Sequence, residues 1–205
     1  MSSRALLEIA NVVIGIDPSR AMLAEAAAHP RIHFVQASAE RLPIEPAGAD
    51  LVCVTLAFHW FDRGRFLAEA HRVLRDDGTL VIASHGFRSW LLANTRLTDW
   101  FRDEYFPRFP KPPRNEEPFP DEAAREHGFG FLGRETFRHE IPYSPEQLAA
   151  NLATHSNVIV AVEEGNQSVD EITAWIVESV RPLFSKPTED IVFVGEIWYL
   201  RPIRG

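Results

Sequence analysis

The sequence has a single cysteine, Cys53, in 205 residues. One thiol makes neither an intramolecular disulfide nor a cysteine-based metal cage, and such sparing use fits a reducing, cytoplasmic compartment. No window approaches the roughly 20 apolar residues that span a bilayer. The opening Met-Ser-Ser-Arg-Ala-Leu-Leu-Glu also lacks the apolar core of a secretory signal. Neither export nor a membrane partner is expected. A Lys/Arg cluster that would neutralise a phosphate backbone is missing too. The 21 basic and 29 acidic residues leave a formal charge of -8, which argues against nucleic acid as a main partner. Internal repeats and low-complexity tracts are likewise absent.

What remains is of ordinary globular composition, 45% apolar and 24% charged. The length suits one compact domain, alone or with a small helical cap. Residues 2–10 read as a short helix that Ser2 or Ser3 can cap, with Ala5, Leu6, Ile9 and Ala10 at helical spacing. Val12 to Ile16 is a β-branched run closed by Asp17, Pro18 and Ser19, with Pro18 suited to the first turn of a helix over about 18–28. Ile32 to Val35 is a second strand. Asp50 to Thr55 is a nearly unbroken apolar strand, expected to be covered on both faces. Phe66, Leu67, Ala70, Val73 and Leu74 mark an amphipathic helix ending in Asp76, Asp77 and Gly78, before the apolar strand Thr79 to Ala83. This alternation implies a parallel α/β sheet with helices on both faces.

After Ser84 the rhythm changes. Residues 88–106 look helical and aromatic, and 107–120 hold six prolines. A strand is expected at Thr136 to Ile141, helices at Pro145 to Leu152 and Val169 to Leu183, and a terminal strand at Ile191 to Leu200.

In open parallel sheets ligands gather at the carboxyl ends of the strands, so the residues there carry most weight. Asp17 ends the first strand. Its carboxylate is able to accept hydrogen bonds from both ribose hydroxyls, or simply to act as a helix N-terminal acid. The next strand end, Gln36-Ala37-Ser38-Ala39-Glu40-Arg41-Leu42-Pro43, is a polar turn opening a short helix. It suits an adenine edge or a plain N-cap. Thr55-Leu56-Ala57-Phe58-His59-Trp60-Phe61-Asp62 follows the third strand and suits a substrate wall, with His59 either a general base or a buried residue that orients neighbours.

The order of Ile14-Gly15-Ile16-Asp17-Pro18-Ser19, Met22-Leu23, VQASAERLPI, ADLVCVTLAFHWFD and EAHRVLRDDGTLVI strongly resembles the motifs of class I S-adenosylmethionine-dependent methyltransferases. It looks closest to the type 11 small-molecule group that includes trans-aconitate methyltransferase-like proteins. The resemblance covers residues 1–84 in order, and THSNVIVAVEEG is similar to part of that group's cap. It implies a Rossmann-like sheet with an antiparallel terminal strand. The core would comprise 1–86 and 186–205, and 87–185 would be a mostly helical substrate cap with one core strand near 134–142. It implies S-adenosyl-L-methionine as cofactor and a small-molecule acceptor, with no metal required. By family position Asp17 binds the ribose, Pro18 borders the adenosine, Ser38 and Ala39 meet the adenine, Thr55 meets the methionine part, and His59 lies beside the transferred methyl group. Ser38 replaces the family's commoner aspartate.

The family also begins with a strand, an acidic residue and a G-x-G-x-G loop, and residues 1–205 contain none. MSSRALLEIA resembles the helix that follows that loop, which places Met1 just after the glycines. Losing a central strand exposes two rows of backbone donors and acceptors, a cost far above the roughly 5–15 kcal/mol by which domains are stable. A longer natural protein is therefore expected, a truncated remnant or a genuine short form being the alternatives. The functional alternatives are methyl transfer, with His59 and more distantly His155 as base, and a non-catalytic binding or assembly protein that forms a homo-oligomer through its exposed strands. A nicotinamide-dependent oxidoreductase is a third. The aromatics Trp90, Trp100, Phe101, Tyr105 and Phe106 would either pack the cap or face the acceptor.

Overall fold

β-Branched residues resist the helix and favour the pleated chain, and the run after the first short helix forms strand β1, Val13–Asp17. In the computed structural model, residues 2–165 and 167–204 are described, the side chains of Ser2 and Trp90 excepted. The expectations for a Ser2 cap and for apolar surface from Trp90 lie outside the described residues. Helix α1, Ser2–Ala5, continues into a tight turn over Leu6–Glu8. Helix α2, Arg20–Ala24, follows β1, and β2, Ile32–Gln36, returns parallel to β1 with Asp17 opposite Gln36. Gly15 sits where a Cβ would meet the Phe34 ring at 2.7 Å, so the register of this pair needs a bare backbone there.

Strand β3, Ala49–Thr55, leads to α3, Arg63–Val73, and β4, Leu74–Phe87, runs parallel to β3. Beyond it lie α4, Thr95–Trp100, a π-helical turn over Phe101–Tyr105, α5, Phe106–Arg108, and α6, Asp121–Glu126. Strand β5, Phe129–Tyr143, is followed by α7, Pro145–Ala153, α8, Ser156–Glu163, α9, Val169–Val180, and β6, Glu189–Pro202.

The strands make two sheets, β1-β2 and β3-β4-β6-β5. Among the described residues, β1 has β2 as its neighbour and β3 has β4, so each keeps one unpaired edge. Apolar side chains stand exposed near these edges: Val12 at 59%, Ile14 at 43% and Leu56 at 43%. The expectation that β3 is covered on both faces is not met. Val54 is buried while Leu51, Val52 and Cys53 are half-buried, because β3 ends its sheet.

Two compact units are distinguished: 1–84 with 115–135 and 196–205, and 85–114 with 136–195. The first is centred on Phe66, Leu67 and Ala70 of α3 packed with Leu80, Phe129 and Leu200. Each large apolar side chain so buried contributes about 1.5–3 kcal/mol. The second is centred on Phe101, Tyr105, Leu148, Leu152, Ile172 and Ile176. Its helices start where the sequence supplies caps. Asn94 accepts the N–H groups of Arg96 and Leu97, and Ser144 with Gln147 and Ser168 with Glu171 form reciprocal capping boxes.

Several element boundaries differ from expectation: β5 starts at Phe129 rather than Thr136 and runs to Tyr143, and α9 stops at Val180, short of Leu183. Helix α2 is shorter than 18–28 and begins after Pro18, because the Ser19 hydroxyl accepts the Met22 N–H and fixes the start there. Helix α3 ends at Val73, where Leu74 is already extended. Since Ala49 pairs with Leu74 and Leu51 with Thr79, Arg75–Gly78 form an irregularity inside β4. No helix follows Ser38; the segment closes as a turn in which the Arg41 N–H reaches the Ser38 carbonyl at 3.2 Å. Ser38 is therefore not a helix N-cap.

Candidate functional site

The carboxyl ends of β1 and β2 are tied together. Asp17 is the last residue of β1, and its carbonyl accepts the Ala37 N–H at 3.3 Å. The Gln36 amide donates to the Pro18 carbonyl at 3.0 Å. Asp17 is half-buried; Oδ1 accepts the Ser19 N–H at 2.8 Å, and Oδ2 has no partner among the described residues. One carboxylate oxygen therefore shapes the turn into α2, and the other is available to a ligand. Pro18 and Ser38 are exposed, and Ala39 is half-buried against the first unit's core.

The third strand end is built by packing. Phe58 is buried among Phe66, Phe119 and Trp198, with ring centroids at 6.0, 5.2 and 6.3 Å. Phe61 packs on Phe66 at 4.9 Å. These two aromatics turn inward, which leaves His59 half-buried and Trp60 exposed. The His59 carbonyl accepts the Asn115 N–H at 3.0 Å, and Arg63 lies over the Phe58 ring at 4.8 Å. Arg63 also donates to the carbonyls of Glu117 and Asn115 at 2.8 and 3.1 Å, so the proline-rich segment is fastened to this turn. Thr55 is exposed at the end of β3.

Leu56, next in the chain, has φ of 58° while its N–H still donates to the Ala83 carbonyl at 3.0 Å. A branched apolar residue in the left-handed region is strained, and such strain gathers at functional turns. Nothing in the residue type announces it, so sequence reasoning missed it. The bond from the Asp62 N–H to Glu40 Oε1 at 3.1 Å was missed as well. It links the third strand end to the Ser38 turn.

Cys53 is a free thiol inside β3, and burial pushes its pKa up, away from nucleophilic use. His155 belongs to the second unit, immediately before α8. Trp100, Phe101 and Tyr105 are buried in that unit's core with Phe106 packed against them, so this run serves packing. A groove of about 480 Å³ along α9, lined by Asp170, Thr173, Val177 and Arg181, contains none of the strand-end residues. Among the described residues no cluster of three or more His, Cys, Asp or Glu is placed to hold a metal, and no helix is long and apolar enough to cross a membrane.

The carboxyl ends of β1 and β2 thus present an open carboxylate oxygen beside a polar turn. Residues 1–82 match the family described as a methyltransferase domain. A Dictyostelium discoideum protein described as a methyltransferase is 34% identical over 74 residues, which cover 36% of this chain and 28% of the relative. The ubiquinone/menaquinone biosynthesis C-methyltransferase UbiE of Campylobacter jejuni is 37% identical over 70 residues, covering 33% and 30%. The matches thus span under a third of those relatives' own lengths. A solved structure described as a type II methyltransferase from Anaeromyxobacter dehalogenans superposes with a TM-score of 0.70 at 23% identity, covering 98% of this chain and 84% of that one. The fold is that of Rossmann-like methyltransferases, and residues 1–82 are similar in sequence to methyltransferase domains.

Proposed function

We propose that the protein transfers a methyl group from S-adenosylmethionine to a small-molecule acceptor, within the type 11 group and in the cytoplasm. The observation that carries this reading is the grouping of Asp17, the Ser38 turn and the strained Thr55–His59 turn at the carboxyl ends of β1, β2 and β3. When bound, the cofactor supplies a methyl group made electrophilic by its sulfonium. Asp17 Oδ2 accepts from the ribose hydroxyls, Pro18 borders the adenosine, and Ser38 with Ala39 meets the adenine. Thr55 meets the methionine part. His59 would take the acceptor's proton, and the site would align the acceptor and exclude water.

The methionine end needs a close backbone approach that glycines provide. The unpaired edges of β1 and β3 support a further strand and glycine loop seated between them in the natural protein. The same edges favour a second reading, in which a methyltransferase-like sheet pairs with a partner chain and carries no catalysis. Calorimetric titration of the folded 205-residue chain with S-adenosylhomocysteine separates the two. Micromolar binding supports the enzyme, whereas a folded, oligomeric sample without binding supports the assembly protein. Genomic sequence before Met1 tests the longer protein directly: an in-frame strand plus G-x-G-x-G supports it, and an in-frame stop removes it.

A further inference from the structure

Helix α3 presents Glu69 and Arg72 on one face, one turn apart, and the two form a forked pair. Arg72 Nε lies 2.8 Å from Glu69 Oε1, and its Nη2 lies 2.8 Å from Oε2. A pair serving only its own helix would leave the remaining donors to water. Here they reach backbone across a gap of about thirty residues. Arg72 Nη1 donates to the Ile44 carbonyl at 2.8 Å and Nη2 to the Leu42 carbonyl at 3.0 Å. Glu69 Oε2 accepts the Leu42 N–H at 2.8 Å. The Arg72 carbonyl accepts the Ala47 N–H at 3.0 Å.

These contacts hold main chain that has no regular partners of its own, since residues 37–48 are turn and loop. The loop continues directly from the Ser38–Arg41 turn, and Glu40 fastens that turn to Asp62 at the start of α3. Side-chain exposures of 35% for Arg72 and 20% for Glu69 place the pair where water screens it only in part. The Arg72 hydrogen bond holds the Glu69 carboxyl below the usual carboxylate range, which keeps both partners charged at neutral pH.

We propose that Glu69 and Arg72 are positioning residues for the adenine end of the cofactor, acting through the 37–48 loop. The proposal rests on the cofactor reading above. A planar guanidinium meets the carboxylate and two carbonyls at once, a geometry that a lysine ammonium does not reproduce. Charge alone is therefore insufficient. Arg75, two residues past the end of α3, reaches the Ala47 carbonyl at 3.4 Å and pairs with exposed Asp50 without touching Leu42 or Ile44, and so supplies a control.

The test uses the 205-residue chain with R72K, R72A, E69Q and R75A variants, S-adenosylhomocysteine titration, and amide hydrogen exchange at Leu42 and Ala47. R72K and E69Q are expected to weaken binding about tenfold or more and to speed exchange at Leu42, with thermal midpoints close to the parent; R75A should bind within about twofold. Parental affinity in R72K, or faster exchange without loss of affinity, would overturn the proposal. If R72A does not fold, R72K and E69Q still decide. If the parent chain binds no S-adenosylhomocysteine, the cofactor reading fails on its own, and unchanged Leu42 exchange in R72K would then also remove the clamp.

Discussion

Oδ1 of Asp17 accepts the backbone N–H of Ser19 at 2.8 Å, closing the turn between β1 and α2 with one carboxylate oxygen. The turn needs an acceptor but no charge, whereas a ribose diol is best met by two acceptors.

Asp17→Asn keeps the oxygen that serves Ser19 and replaces the other by a donor. It should leave the thermal midpoint within about a degree or two of the parent and weaken S-adenosylhomocysteine binding at least tenfold. Asp17→Ala should lose both binding and about 1 kcal/mol of stability. Equal binding by the Asn variant would assign Asp17 to the turn alone.

Leu67 is completely buried in the first unit. Truncation to alanine removes its contacts with the sheet side of that core and leaves a cavity, so Leu67→Ala should cost about 2–5 kcal/mol in urea unfolding. A loss below 1 kcal/mol would mean that the core collapses around the gap.

The chain end is fastened to α3 by Arg204, which donates to the carbonyls of His71 and Leu74 at 3.1 and 2.7 Å and pairs with Asp76 at 3.1 Å. Arg204→Ala should lower stability by about 1–2 kcal/mol and speed exchange at the Ile203 amide, which donates to the Gly128 carbonyl at 2.7 Å. Unchanged exchange would show that the strand end holds without the arginine.

Burial holds the His155 imidazole below its ordinary pKa, and nearby His85 acts in the same direction. His85 is itself lowered, by burial and by His139. The unfolded chain therefore takes up these protons first, at about pH 6.5. Stability is full above that pH and is lost as pH falls through the lower folded-state values. Urea midpoints should drop between pH 7.5 and 5.5 in the parent and drop less in His155→Gln. Parallel slopes in the two proteins would refute a contribution from His155.

Strands β1 to β3 were legible because β-branched runs such as Val12–Ile16 have no good alternative, and α3 because Phe66, Leu67, Ala70 and Val73 recur with the helical period, whereas the first part of β5, Phe129–Glu135, was not read as strand. Short elements were less so: α2 depends on where Ser19 caps it, and the Ser38 turn on bonds that no propensity encodes. Helix α8 carries Val158, Ile159, Val160 and Val162, a β-prone composition that its setting in the second unit overrides. At the candidate site, Asp17, Ser38 and His59 stood out because strand ends are where parallel sheets bind. Glu69 and Arg72 did not, because charges on a helix face normally meet water and only the fold brings Leu42 and Ile44 to them.

Strand β6 lies between β4 and β5. A ribosome finishes β5 at Tyr143 and does not begin β6 until Glu189. Throughout that interval β5 has no sheet to join, and β4 presents an open edge. Completion of the larger sheet thus waits for residues 189–202 to emerge, and nascent chains stalled before Glu189 expose the open β4 edge to chaperones and to aggregation.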